Sequence, residues 1–423
     1  MDCALEKHVR AASSRFVLMS AMSMPSSGPN TSSPADARRP RVCVSLPYAS
    51  QLITGASMYF GGAEVRGTTF LNGLAADPAW DIHAVVIGEP AEPIRLPNGV
   101  TVHTRPEAPC RITVPLADPA RTVWGRVDAD VYLAFGANEA SAEVAHYCRA
   151  AGRPLVLSIA SDAAFDPIVY ELSTECDAYG VAGHFAWYAI AGAHTVIVQT
   201  ERQRLLFAQR FDRQAALIRN PAPTSTRLPA RERPAHGGRM LWIGRLDPNK
   251  RYEEALMLAA ALPHREMIIV CNNLLSLGEH TIDELQGAMP HVMIADQVDL
   301  RDTDRLFRFA DVLVNTSVVE GFPNTFLQAG MAGIPIVTMG VDPDGMLSVH
   351  GCGKVTDGTS EQLAQTVDAL LEDTAAYGAA SAACSAWVRS RHAPEERVAE
   401  LADALRRVIG DTPRPSTSSG LAA

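Results

Sequence analysis

Two cations and a carboxylate are spaced so that they could handle a phosphorylated sugar. Arg245 and Lys250 stand at either end of the turn Arg245-Leu246-Asp247-Pro248-Asn249-Lys250, after Gly244. The apolar run Met240–Ile243 before it reads as a strand, and a helix is expected from Tyr252. Cations at the carboxyl end of a strand can converge on a diphosphate, Arg through a forked donor set and Lys as a point charge. Glu320 precedes Gly321-Phe322-Pro323-Asn324, where a second helix is expected to open with Pro323 in its first turn. Helix starts attract phosphate through unpaired N–H groups and the dipole. A carboxylate there is badly sited for phosphate alone, but it suits a phosphate that carries a sugar, whose hydroxyls it can accept from. The plainer alternative is an exposed Glu on an ordinary loop. Gln328, one turn after Asn324, could line the same edge.

The elements around these residues read as alternating strands and helices. Val312-Leu313-Val314 is the short apolar run of a strand buried on both faces. Leu327, Gly330, Met331 and Ile334 recur at helical spacing, and Pro335-Ile336-Val337-Thr338 begins the next strand, so Asp311 to Thr338 is one β-α-β unit. Strands at Arg41–Leu46, Ile82–Ile87, Val100–Thr104, Val131–Phe135, Leu155–Ile159, Thr195–Gln199 and Ala216–Asn220 alternate with helical stretches in the first half. The second half repeats the pattern from Arg239 to about Val355. Such alternation predicts parallel α/β sheets, which bind ligands at the carboxyl ends of their strands.

Several further positions carry two readings. Gly61 and Gly62 lie between a strand and a helix, where they serve either close ligand approach or tight helix packing. Asp162 follows the strand Leu155–Ile159 and is either a cleft carboxylate or a helix N-cap. The helix from Glu201 to Arg213 is basic and amphipathic, which suits a solvated basic face over a core stripe or contact with anionic lipid. Val341-Asp342-Pro343-Asp344-Gly345 is either a cleft wall or an acidic turn.

Composition bounds the remaining choices. The chain has 423 residues, 47% of them apolar and 20% charged, which describes a globular protein long enough for two domains. A net charge of −10 argues against general nucleic-acid binding. The eight cysteines lack metal-ligand spacing and are expected to be reduced. The run Phe16–Met24 is too short to span a bilayer, so a cytoplasmic location is expected. Residues 1–40 and 411–423 read as a disordered extension and a mobile tail, and 221–238 as a linker.

WIGRLDPNKR followed by EGFPNTFLQAGMAGIPIV resembles the donor half of the retaining GT-B glycosyltransferases of family four, glycosyl transferases group 1. The resemblance implies two Rossmann-like, doubly wound parallel-sheet domains facing across a cleft. The acceptor side would span 41–220 and the nucleotide-sugar side 239–390, with a final helix over 391–410 crossing back. It implies that Arg245 and Lys250, with Gly244, hold a donor diphosphate, and that Glu320 binds sugar hydroxyls beside Gly321, Phe322, Pro323 and Asn324. Gln328 replaces the family's second glutamate, at the ribose. Gly61 and Gly62 match the loop that touches the diphosphate, and Ala160 stands where relatives often carry His. Asp162 would orient the sugar or the acceptor.

The expected function is therefore metal-independent glycosyl transfer, with no cofactor, from a nucleotide-diphosphate sugar to a saccharide or lipid-linked acceptor. The setting would be polysaccharide or glycoconjugate synthesis, in the cytoplasm or peripherally at the inner membrane face. A weakened homologue acting as a binding or scaffold subunit is the alternative, prompted by Gln328, Ala160 and Asn272-Asn273. A glycosyl phosphorylase or nucleotide-sugar epimerase is another, and no GxGxxG favours an NAD enzyme.

Overall fold

The computed structural model describes residues 38–54, 61–223, 230–232, 234–272, 279–295, 298, 300–356 and 358–412. Residues 1–37 of the expected extension, the tail after 412, and residues 224–229 and 233 of the expected linker lie outside the described residues.

Two sheets organise the chain. The first contains β1 (Arg41–Ser45), β2 (Asp81–Ile87), β3 (Ile94–Arg95), β4 (Thr101–Arg105), β5 (Val131–Phe135), β6 (Leu155–Ser158), β7 (Thr195–Val198) and β8 (Ala216–Leu217), in the order β3-β4-β2-β1-β5-β6-β7-β8. Its helices are α1 (Ser50–Thr54), α2 (Gly62–Ala75), α3 (Val123–Val127), α4 (Glu139–Ala151), α5 (Gly183–Gly192) and α6 (Glu201–Phe211). The second contains β9 (Met240–Arg245), β10 (Met267–Asn272), β11 (Val292–Ala295), β12 (Val312–Asn315), β13 (Ile336–Thr338) and β14 (Gly353–Val355), in the order β11-β10-β9-β12-β13-β14. Its helices are α7 (Tyr252–Ala261), α8 (Glu279–Ala288), α9 (Leu300–Phe309), α10 (Asn324–Ala332), α11 (Ser360–Glu372) and α12 (Thr374–Arg391), and α13 (Pro394–Asp411) follows.

Strand side chains alternate between the two faces of each sheet, as a period of two requires. Cys43, Val85, Tyr132, Leu155 and Leu157 enter one core of the first sheet; Val42, Val44, Ala84, Val131 and Leu133 enter the other. In the second sheet Met240, Trp242, Ile269 and Val314 face one core, and Leu241, Ile268, Leu313 and Ile336 the other. Both faces are covered, which is why the strands read as nearly continuous apolar runs.

The two sheets are parallel as expected, with one addition at an edge: β3 pairs antiparallel with β4, and its Ile94 and Arg95 are exposed and gave no buried-strand signal. The segment after β1 opens with the helical turn α1, where Thr54 Oγ1 donates to the Ser50 carbonyl at 2.8 Å.

α13 leaves the second sheet and packs on the first. Leu401, Ala404, Leu405 and Val408, at helical spacing, are buried with Val42, Val44 and Leu74. Gly73 of α2 lets it approach, since a β-carbon there would lie 2.4 Å from Val398. The strand order of the second sheet reverses direction between β9 and β12, and that of the first between β1 and β5. Loops at such reversals splay apart and leave a crevice at the strands' carboxyl ends.

Candidate active site

The turn after β9 and the loop after β12 are fastened together at the second sheet's crevice. Asn249 is buried, and its side chain accepts from Val319 N and donates to the Val319 carbonyl, both at 2.9 Å. Its own carbonyl accepts from Val318 N at 2.9 Å. Asp247 steadies the turn by accepting from Lys250 N at 3.1 Å. Held this way, Lys250 Nζ forms an ion pair with Glu320 Oε1, both side chains largely buried. Arg245 is 44% exposed and turns toward the cleft, with Nε 3.1 Å from Asp247 Oδ2 and its guanidinium over the Tyr179 ring. The two cations and the carboxylate that stand far apart in sequence thus share one site.

The loop carrying Glu320 is bonded along its length to groups from the first sheet. Tyr179 Oη donates to the Val319 carbonyl at 2.8 Å and Asp162 N to the Glu320 carbonyl at 3.1 Å. Phe322 N donates to Gln199 Oε1 at 2.8 Å, and Asn220 Nδ2 donates to the Phe322 carbonyl at 3.1 Å. Gly321 has to be glycine, because a β-carbon would sit 2.5 Å from the Ala160 carbonyl oxygen. Ala160 is therefore the floor on which this loop rests.

The start of α10 departs from the expectation of Pro323 in the first turn and a row of free N–H groups. Pro323 is the N-cap and has no N–H, while the Phe322 N–H is given to Gln199. No side chain caps the helix, so the N–H groups of Asn324 and Thr325 are what its first turn presents. Asn324 Nδ2 donates to the Gly62 carbonyl at 2.8 Å, which sets the start of α2 against the start of α10. Gly61 N donates to Glu64 Oε2 at 3.0 Å. Burial raises the Glu64 carboxyl above its ordinary range, while Arg245 pulls it the other way. Two helix N-termini and Arg245 make this corner electropositive.

Asp162 joins the site through a different edge. Ser161, rather than Asp162, caps the short turn that follows β6, accepting from Ala163 N at 3.2 Å. Asp162 instead accepts from Gln203 Nε2 at 2.9 Å and Arg202 Nε at 3.1 Å. Burial raises its carboxyl, opposed by those two donors. It borders a cavity of about 230 Å³ lined by Thr200 and Arg202 on one side and by Val318–Gly321 and Gly340–Pro343 on the other. Neither Arg245 nor Lys250 lines this cavity.

Two expected site residues do not reach into the cleft as reasoned. Gly244 is buried against Trp242, whose indole a β-carbon would meet at 2.6 Å, so packing accounts for it. Gln328 is 9% exposed, in the buried face of α10. Sequence reasoning missed Tyr179, Asn249, Gln199 and Asn220, whose partners lie far along the chain. Asp344, flagged only within an acidic turn, accepts from Glu201 N at 2.8 Å and pairs with Arg219 at 3.1 Å, so it bridges the two halves. The arginines of α6 bind within the protein: Arg202 to Asp162, Arg204 to Glu201, and Arg210 to the Pro167 and Val169 carbonyls. Among the described residues no three His, Cys, Asp or Glu side chains are grouped to hold a metal ion, and no helix is long and apolar enough to cross a membrane.

Residues 237–373, which carry Arg245, Lys250 and Glu320, match the family model described as glycosyl transferases group 1. The whole fold is similar to an Anabaena protein, HepE, solved in complex with UDP-glucose, at 18% identity and a TM-score of 0.63, over 87% of this chain and 99% of that one. It is also similar to sucrose-phosphate synthase from Thermosynechococcus elongatus, at 15% identity and a TM-score of 0.66, over 88% and 100% of the two chains. The fold is GT-B. A third GT-B neighbour, the E. coli trehalose-6-phosphate structure bound with UDP-2-fluoro glucose, covers 87% of this chain and 99% of its own at 12% identity and a TM-score of 0.61. No curated protein matches the chain by sequence.

Proposed function

We propose that this chain is a glycosyltransferase that moves a sugar from a nucleoside-diphosphate sugar to an acceptor hydroxyl, with retention of anomeric configuration and without a metal. The observation that carries the reading is the Lys250–Glu320 ion pair, set at the crevice beside Arg245 and the opposed starts of α2 and α10. The family match over 237–373 and the UDP-sugars on two fold relatives support the choice of donor.

In this reading the diphosphate enters the electropositive corner, where Arg245, Lys250 and the helix N–H groups meet the charge that builds on the leaving group. Lys250 exchanges Glu320 for phosphate, and the released carboxylate accepts from sugar hydroxyls. The bond from the anomeric carbon to the diphosphate oxygen breaks as the acceptor oxygen bonds to that carbon on the same face. The acceptor's proton leaves with the diphosphate. Asp162, at the cavity beyond Glu320, orients the sugar or the acceptor. The acceptor is a saccharide or lipid-linked saccharide, met in the cytoplasm or at the membrane face, as in polysaccharide assembly.

The test is release of nucleoside diphosphate from a panel of UDP-, GDP- and ADP-sugars, in the native chain and in Lys250→Ala. One donor should be turned over, with the variant slower by about 100-fold or more. A folded Lys250→Ala chain with native turnover would overturn the assignment.

A further inference from the structure

We propose that Tyr179 is a positioning residue for donor binding, holding Arg245 in its diphosphate-facing orientation once the two sides of the cleft have met. The proposal rests on the reading above. Tyr179 lies in the segment between β6 and α5, on a small self-bonded hairpin closed by the antiparallel bridge of Cys176 with Ala182. Asp177 accepts at its tip from Tyr179 N at 2.8 Å and from Val181 N at 3.0 Å. The tip is therefore shaped before it meets the opposite half of the protein.

One side chain then makes two different contacts. The hydroxyl donates to the Val319 carbonyl at 2.8 Å and accepts from Asn249 Nδ2 at 3.2 Å, so it binds the junction that keeps Lys250 beside Glu320. The ring lies under the Arg245 guanidinium, whose carbon is 6.0 Å from the ring centroid. Asp247 limits Arg245 on another side, with its carboxylate 3.1 Å from Nε. Asn249 and Arg245 belong to the same turn, so hydroxyl and ring engage one rigid piece at two points.

Stacking an exposed cation on a ring adds little to folding, because such contacts are weak where water reaches them. Its effect falls on binding. An unrestrained arginine loses rotamer freedom when it meets a phosphate, and a restrained one has lost it already. Tyr179 comes from the first-sheet side while Arg245 sits on the second, so this restraint exists only when the cleft is closed.

The experiment is a double-mutant cycle on UDP affinity, measured by titration calorimetry in the full chain. Tyr179→Leu should weaken UDP about five- to tenfold in the native background and less than about twofold in an Arg245→Ala background. Tyr179→Phe keeps the ring and should hold UDP within about twofold of native. Should Tyr179→Leu fail to fold, Tyr179→Gln, a polar side chain without the ring, is expected to show the same coupling. Equal losses in both backgrounds, or none in either, would overturn the proposal while leaving glycosyl transfer intact. A native chain that binds none of UDP, GDP and ADP would overturn both.

Discussion

Lys250 and Glu320 neutralise each other across two loops of the second sheet, seventy positions apart in the chain. An ion pair of limited exposure holds both charges away from water, and removing one partner leaves the other uncompensated. In the proposed reaction the pair separates on donor binding, so its two halves have opposite effects on the diphosphate. Glu320→Gln frees Lys250 and should tighten UDP severalfold, yet slow sugar transfer about 10- to 100-fold. Weaker UDP binding in that variant would contradict the exchange of Lys250 from carboxylate to phosphate.

Gly321→Ala tests the contact of the loop with Ala160. Its β-carbon would stand 2.5 Å from a backbone carbonyl and 2.9 Å from Gln203 Nε2. The loop has to shift, at a cost of about 1–3 kcal/mol by analogy with overpacked cores. Turnover should fall more than stability does, because Glu320 moves with the loop; urea titration and nucleotide release measured side by side would decide it.

Asp344 supplies the N-terminus of α6 with an acceptor from the opposite half and pairs with Arg219, both side chains largely buried. It adopts a left-handed backbone conformation, φ 54°, which aspartate tolerates better than most residues. Asp344→Ala should cost about 3 kcal/mol, since it strands Arg219 and takes the acceptor from the Glu201 N–H, although Thr200 still caps α6 through Gln203 N. Asp344→Asn keeps an acceptor for that N–H and loses the charge, and an equal loss in the two variants would assign the effect to charge alone.

His392 gives a pH prediction with a definite sign. Its Nδ1 lies 2.7 Å from the Asn220 carbonyl, so Nδ1 carries the proton and the buried Nε2 has no hydrogen-bond partner. Burial lowers its pKa to about 3, helped by Arg219, Arg397 and Arg391, although the bond to Asn220 acts the other way. The unfolded chain therefore binds a proton that the folded chain refuses between the ordinary histidine value and about 3. The stability it contributes is full above the ordinary value and is lost as pH falls, by up to about 1.4 kcal/mol per pH unit. His103, lowered to about 4, and His83 add the same sign. Urea midpoints between pH 7.5 and 5 should fall more steeply in the native chain than in His392→Gln; equal slopes would remove His392 from the account.

The layout of both sheets was readable because buried parallel strands leave apolar runs and turns leave Gly, Pro and Asp. That Arg245, Lys250 and Glu320 could come together was readable for a related reason: Arg245 ends a strand, and the other two follow strands whose ends can be located. Tyr179 was not, since it lies in an irregular segment and its partner Val319 is 140 positions away. Asn220 and Gln199 are likewise defined by the Glu320 loop and by no local period. β3 escaped notice because an exposed two-residue edge strand has no face to bury. Asp344 showed that an acidic turn cannot be told from a bridge until the surface opposite it is known.

The route of α13 has a consequence for how the protein is made. Val398, Leu401, Leu405 and Val408 complete the apolar layer over β1 and α2, although some three hundred and fifty positions separate them from β1. A nascent chain stopped anywhere before α13 leaves that layer open to water. The half synthesised first is thus the half finished last, and cutting the gene between the two sheets would yield a front piece prone to clump.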